Sequence, residues 1–116
     1  MDEMIEAFKS IVGGTNVLTK EIDTAYYRSG FRCGFGGAKA VVFPSTLVEQ
    51  WKVLQVAVDS GCAIIMQAAK TGLTGGSSPS GFDYGRDVVI INTSRLRGLR
   101  LLREGTQAVA FPGTTL

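Results

Sequence analysis

Histidine is absent from the 116-residue sequence. Its absence removes Ser-His-Asp and Cys-His nucleophiles, and most zinc sites, from this chain. It also leaves no side chain whose ordinary pKa lies near neutrality. Cysteine is scarce: Cys33 and Cys62 stand without metal-ligand spacing. They read as reduced thiols in a cytoplasmic protein, small buried side chains rather than reactive groups. No apolar run is long enough to span a bilayer, and Met1-Asp-Glu-Met4 lacks the basic start and apolar centre of a signal peptide. The net charge of +2 is too small to argue for a nucleic-acid partner.

What is present suits one small globular domain. Apolar residues make up 45% and charged residues 19%, the balance of a chain with a core. Met4, Ile5, Phe8, Ile11 and Val12 fall at helical spacing, and Gly13-Gly14 stops the pattern. A weaker helical piece covers about Lys20–Tyr27, followed by an irregular stretch from Arg28 to Gly37. Ala40–Phe43 is a short apolar strand ended by Pro44. Thr46 and Glu49 make a capping box for a helix from about Leu47 to Ser60, with Leu47, Trp51, Leu54 and Val58 as its expected buried stripe. Gly61 sits where a C-terminal cap belongs. Ala63–Ile65 reads as a second strand, so strand, helix and strand form a βαβ unit with parallel pairing.

The segment Met66–Gly81 then departs from any apolar period. It is rich in Gly, Ser and Thr, leaves the carboxyl end of a strand, and can bring backbone N–H groups together around an anion. The bland alternative is a flexible connection. Neither Gly-x-x-x-x-Gly-Lys-Ser/Thr nor Gly-x-Gly-x-x-Gly occurs, which argues against a P-loop nucleotidase and a Rossmann dinucleotide site. Lys70 either neutralises a phosphate or is simply solvated. Beyond the loop, Asp87–Asn92 reads as a third strand, and Leu99–Leu102 and Gln107–Phe111 as two more joined across Arg103-Glu104-Gly105. Arg95, Arg97, Arg100 and Arg103 either meet anionic lipid headgroups or form a solvated strand face. Pro112–Thr115 looks like a turn into a helix, and a chain stopping there suggests a piece of something longer.

Several segments, taken in order, carry a resemblance: Tyr27–Gly36, Ala40–Pro44, Met66–Ser77, Asp83–Ile91 and Ala110–Leu116. Together they resemble the start of the quinone-dependent D-lactate dehydrogenases, and more broadly the FAD-binding domain of the vanillyl-alcohol oxidase type. The resemblance implies an α/β (overall α+β) fold: a small parallel βαβ sheet with flanking helices as the first FAD-domain subdomain, plus opening strands of the second. It divides the chain into a helical lead-in over about 1–37, the βαβ unit and Gly-rich loop over 38–86, and the start of the second subdomain over 87–116. It implies that Ala68, Ala69, Lys70, Thr71, Gly72, Gly76 and Ser77 wrap the FAD pyrophosphate, largely through backbone N–H groups. Two positions depart from the family, which usually has Asn in place of Lys70 and commonly an acidic residue in place of Gly75.

The implied partners are D-lactate and membrane quinone. Catalytic groups and membrane contact would lie in parts of the protein outside this chain, at the inner face of the bacterial plasma membrane. Two other readings stay open: a dehydrogenase for another D-2-hydroxy acid such as glycolate, and a non-enzymatic anion-binding βαβ module.

Overall fold

The structure, a computed structural model, describes residues 2–30 and 34–115. The expectation that Cys33 is buried, and the part of the Tyr27–Gly36 stretch that includes it, lie outside the described residues.

Helix α1 spans Glu3–Val12, with Asp2 as its N-cap accepting from the N–H groups of Met4 and Ile5. It stops at Gly13, whose φ of 92° suits glycine, and its buried side is Met4, Ile5, Phe8 and Val12. A 3-10 turn over Gly14–Asn16 leads into the two-residue strand β1, Val17–Leu18. Helix α2 covers Glu21–Arg28. Strand β2, Ala40–Val42, is followed by helix α3, Leu47–Asp59, and strand β3, Ala63–Gln67.

The capping box at α3 is displaced on one side. Thr46 Oγ1 accepts from the Glu49 N–H at 3.1 Å, as expected, but Glu49 Oε1 reaches past Thr46 to the N–H of Ser45 at 2.8 Å. Two orphan donors are still satisfied, one residue further upstream.

Strand β4, Val88–Asn92, is fully buried and lies between β2 and β3. The sheet order is β1-β2-β4-β3, with β1 antiparallel to β2 and the other pairings parallel. The parallel βαβ arrangement is therefore present, but its two strands are not neighbours. The strand read at 87–92 is an inner one, paired on both edges. Period-2 alternation sorts the sheet's side chains into two cores. Val42, Val89 and Ile91 face Phe8, Val12, Val53 and Ala57 of α1 and α3. Val41 and Ile90 face the other way with Phe43, joined by Leu18, Tyr27 and Ile65.

The expected stripe of α3 is a correction. Leu47, Trp51, Leu54 and Val58 are 53%, 57%, 39% and 60% exposed, whereas Val53 and Ala57 are buried with Val56 packed beside them. The helix Leu-Val-Glu-Gln-Trp-Lys-Val-Leu-Gln-Val-Ala-Val-Asp is apolar on two sides. The side carrying the smaller residues packs closest to α1 and the sheet, which turns Trp51 outward rather than into the core.

The last elements stand apart from this sheet. Strands β5, Leu99–Leu102, and β6, Gln107–Ala110, pair antiparallel around a 3-10 turn at Arg103–Gly105, and both are exposed throughout. Phe111–Thr114 closes a turn through the Thr114 N–H to Phe111 O bond; no helix follows among the described residues.

Candidate functional site

The carboxyl ends of β3 and β4 meet at one register position, Gln67 opposite Asn92. Each closes an apolar strand with an amide, and both side chains are 2% exposed. Buried amides need partners, and here they supply each other: Asn92 Nδ2 donates to Gln67 Oε1 at 2.8 Å. Gln67 Nε2 donates to the carbonyls of Tyr27 and Ser77, both at 2.8 Å. Asn92 Oδ1 accepts from the Ser94 N–H, and the Thr93 N–H donates to Gln67 O at 2.7 Å. One buried pair thus joins the start of the Gly-rich loop, its return at Ser77, and the end of α2.

Ten residues bulge from this base between Gln67 and Ser78. Ala69, Thr71, Gly72 and Gly76 are exposed. No hydrogen bond among the described residues uses the backbone N–H of Ala69, Lys70, Thr71, Gly72, Gly76 or Ser77. Between Met66 and Phe82 there is no acidic side chain. Unengaged donors in a stretch without carboxylates fit an anion that approaches the backbone. A Cβ added at Gly72 would meet nothing within 4 Å, and one at Gly76 only Thr74 Oγ1 at 3.9 Å. The space beside those glycines is open to an incoming group.

Ala68–Thr71 separates two clefts. One, of about 430 Å³, is lined by Tyr26, Ser29, Gly30, Ala69, Lys70 and Thr71. The other, of about 220 Å³, lies between Ala68-Ala69 and the Pro112–Thr115 return, with Ser94 and Arg97 at its edge. Of the residues expected at the site, Ala68, Ala69, Lys70 and Thr71 border these clefts; Gly72 and Gly76 lie further out on the loop, and Ser77 is tied through its carbonyl to Gln67.

Lys70 has φ of 59°, a left-handed backbone that costs a side-chain-bearing residue roughly 1–2 kcal/mol. Its ammonium donates to the carbonyls of Tyr26 and of Ser29, the latter at 2.9 Å, and lies 3.6 Å from the Tyr26 ring centroid. Burial lowers the Lys70 pKa, while the two carbonyls and the ring face favour the charged form. The ammonium is thus held against the end of α2 rather than simply solvated.

The second half of the segment is fastened to the stretch after α2. Gly36 and Gly81 form a parallel bridge, and a Cβ at Gly36 would lie 2.2 Å from Gly81 O. Phe35 and Phe82 pack edge to face over it, with centroids 5.6 Å apart. Arg28, 5% exposed, donates to Thr24, Gly36 O and Glu21, so this buried cation is engaged by the scaffold. Two members of the arginine run are likewise tethered: Arg95 Nη1 to Phe43 O and Arg97 Nε to Ser94 O, each at 2.9 Å. Cys62 is buried, with Sγ 3.2 Å from Met4 Sδ, and burial raises its pKa. It is a packed thiol, not a reactive one.

Sequence reasoning missed Gln67, Asn92 and Gly113. The visible signal for the first two was a pair of amides ending two all-apolar strands. Gly113 left no such sign: a Cβ there would stand 2.1 Å from Thr93 O, so the turn after β6 touches the residue that follows β4 backbone to backbone.

Comparison with known proteins places this geometry. Three proteins named quinone-dependent D-lactate dehydrogenase are similar to the chain. The one from Escherichia coli (strain K12) is 56% identical over 106 residues, covering 91% of this chain and 19% of that protein. Those from Corynebacterium glutamicum and Haemophilus influenzae are 48% and 46% identical over 98% and 100% of this chain. The chain thus spans about a fifth of the length of the curated relatives it matches. No protein-family model matches. Among solved structures, an alkyldihydroxyacetonephosphate synthase superposes with TM-score 0.80 at 16% identity, over 95% of this chain and 23% of that one. The 4-ethylphenol oxidase from Gulosibacter chungangensis gives 0.73 at 23% identity, over 95% and 21%. The fold is that of the FAD-binding domain of the vanillyl-alcohol oxidase type.

Proposed function

The chain is homologous along nearly its whole length to quinone-dependent D-lactate dehydrogenases, and we propose that it is the FAD-binding portion of a longer flavoenzyme that oxidises D-lactate to pyruvate and passes the electrons to membrane quinone. The observation that carries the reading is the loop rooted on the Gln67–Asn92 pair. Six of its backbone N–H groups are unengaged among the described residues, with open space beside Gly72 and Gly76, at the carboxyl ends of the parallel strands.

In this reading the N–H groups of Ala69, Lys70, Thr71 and Gly72 on one arm, and Gly76 and Ser77 on the other, donate to the cofactor's pyrophosphate, with Ala68 at the strand end. Charge-assisted bonds of this type hold an anion without bringing a compensating cation. Bound flavin supplies the hydride-accepting centre, and the residues of this chain bind and orient it. The absence of histidine from the chain is consistent with the group that takes the substrate hydroxyl proton lying in another part of the polypeptide. Contact with membrane quinone, at the inner face of the plasma membrane, is likewise assigned outside this chain; no helix among the described residues is long and apolar enough to cross a membrane.

The test uses the full-length protein, stripped of flavin and titrated with FAD, then assayed with D-lactate and a soluble quinone. Stoichiometric FAD uptake and D-lactate-dependent quinone reduction are expected. A protein that takes up no flavin refutes the reading. A flavoprotein that turns over glycolate but not D-lactate corrects the substrate.

A further inference from the structure

A helix ends with four carbonyls that have no intrahelical partner, and the way α2 satisfies its own is unusual. Ala25 O accepts from Ser29 Oγ at 3.2 Å, and Arg28 O from the Gly36 N–H at 3.2 Å. The two between them are met from across the molecule: Tyr27 O by Gln67 Nε2, and Tyr26 O by Lys70 Nζ beside a longer bond of 3.4 Å from Ser29 Oγ. Lys70 also takes Ser29 O, just past the helix end. Resting on the FAD reading above, we propose that Gln67 and Lys70 are positioning residues which cap α2 in trans and so hold residues 68–77 in the shape that receives the pyrophosphate, the Lys70 side chain being a clamp and not a phosphate ligand.

The donor count of Lys70 supports this. An ammonium has three N–H bonds. Two point to the carbonyls of Tyr26 and Ser29, and the nitrogen lies over the Tyr26 ring. At most one donor is left for a phosphate while that arrangement holds. Electrostatics point the same way. The C-terminal end of a helix carries partial negative charge, and α2 ends against the loop that is to receive an anion. Lys70 places its charge on that end and offsets its repulsion. The left-handed backbone of Lys70 fits too, because it turns the side chain back toward α2 while leaving the residue's own N–H unengaged.

The experiment uses full-length protein as parent, Lys70→Met and Lys70→Arg. Methionine keeps the stem and loses the donors; arginine keeps donors, charge and ring stacking. Two readouts are taken: FAD affinity of the stripped protein as a function of salt, and backbone amide exchange of residues 25–29 without flavin. We expect Lys70→Met to bind FAD about 10- to 100-fold more weakly, as for loss of charge-assisted bonds, with the parent's salt dependence unchanged. Exchange at 25–29 should rise about tenfold in the flavin-free variant, and Lys70→Arg should restore both. Weaker binding with a flattened salt dependence and unchanged exchange would overturn the clamp and make Lys70 a phosphate contact. No change in either readout would overturn it as well. Should Lys70→Met not fold, Lys70→Leu, uncharged and without a donor, gives the same contrast against arginine. If the parent takes up no FAD, the flavin reading fails while the exchange readout still decides the clamp.

Discussion

Valine in place of Gly76 separates what the loop does for the protein from what it does for a ligand. Gly76 does not need a left-handed φ, and a Cβ there has Thr74 Oγ1 at 3.9 Å as its nearest neighbour. The added Cβ therefore meets neither strain nor clash in the protein itself. Restricting the unfolded chain is worth a few tenths of a kcal/mol in its favour, so the stripped protein should melt within about 0.5 kcal/mol of the parent. A pyrophosphate seated on the Gly76 N–H meets a different surface. The branched side chain holds it back by about an ångström, enough to break one charge-assisted hydrogen bond worth roughly 1.5–3 kcal/mol. At 1.4 kcal/mol per decade that is about a 10- to 150-fold loss of FAD affinity. Titration of flavin fluorescence into stripped parent and Gly76→Val proteins, beside their thermal melts, reads both quantities. Equal FAD affinity would show that the backbone at Gly76 is not where the cofactor rests. A large drop in melting temperature would show that the open space beside it is wrongly drawn.

Gly113→Ala should do the reverse. Its Cβ would stand 2.1 Å from Thr93 O, a backbone atom that cannot swing aside, so a loss of about 1–3 kcal/mol in stability is expected by chemical denaturation; an unchanged midpoint refutes the contact. The hydrogen bond from Lys39 is the main cause of the lowered pKa of Asp2. A carboxyl whose folded pKa lies below its unfolded value of 3.8 stabilises the fold above that pH and loses the effect as pH falls through the folded value. Asp2→Asn keeps an N-cap and loses the charge, so the parent should melt higher near neutrality, with the gap closing below pH 3.8; a gap constant down to pH 2 contradicts this. By itself the 116-residue chain is expected to hold FAD weakly and to self-associate, since Leu99, Leu101, Val109 and Phe111 of the hairpin are exposed beside open strand edges. A monodisperse, yellow preparation of it would refute that.

Much of the scaffold is legible residue by residue. The α1 stripe, its glycine stop, the hairpin around Arg103–Gly105 and the loop after β3 all follow from local pattern. The face of α3 was not, because Leu47, Trp51, Leu54 and Val58 form as regular a stripe as Val53, Val56 and Ala57. Only the close approach of α1 and the sheet selects between them. The place of β4 escaped for a related reason: an apolar strand announces burial but not its neighbours.

At the candidate site the division is sharper. Composition and strand position alone pointed to a backbone anion loop at Met66–Gly81, and the ordered motifs alone pointed to a family, because both depend on residues near one another in the chain. What the loop rests on needed the folded molecule. Gln67 and Asn92 become a pair only through a strand register, and Lys70 finds its carbonyls at and just past the end of a helix, 44 and 41 residues earlier. Hydrogen bonds that satisfy buried amides and helix ends form between whatever groups packing brings together, and that choice is made by tertiary structure, not by neighbours in sequence.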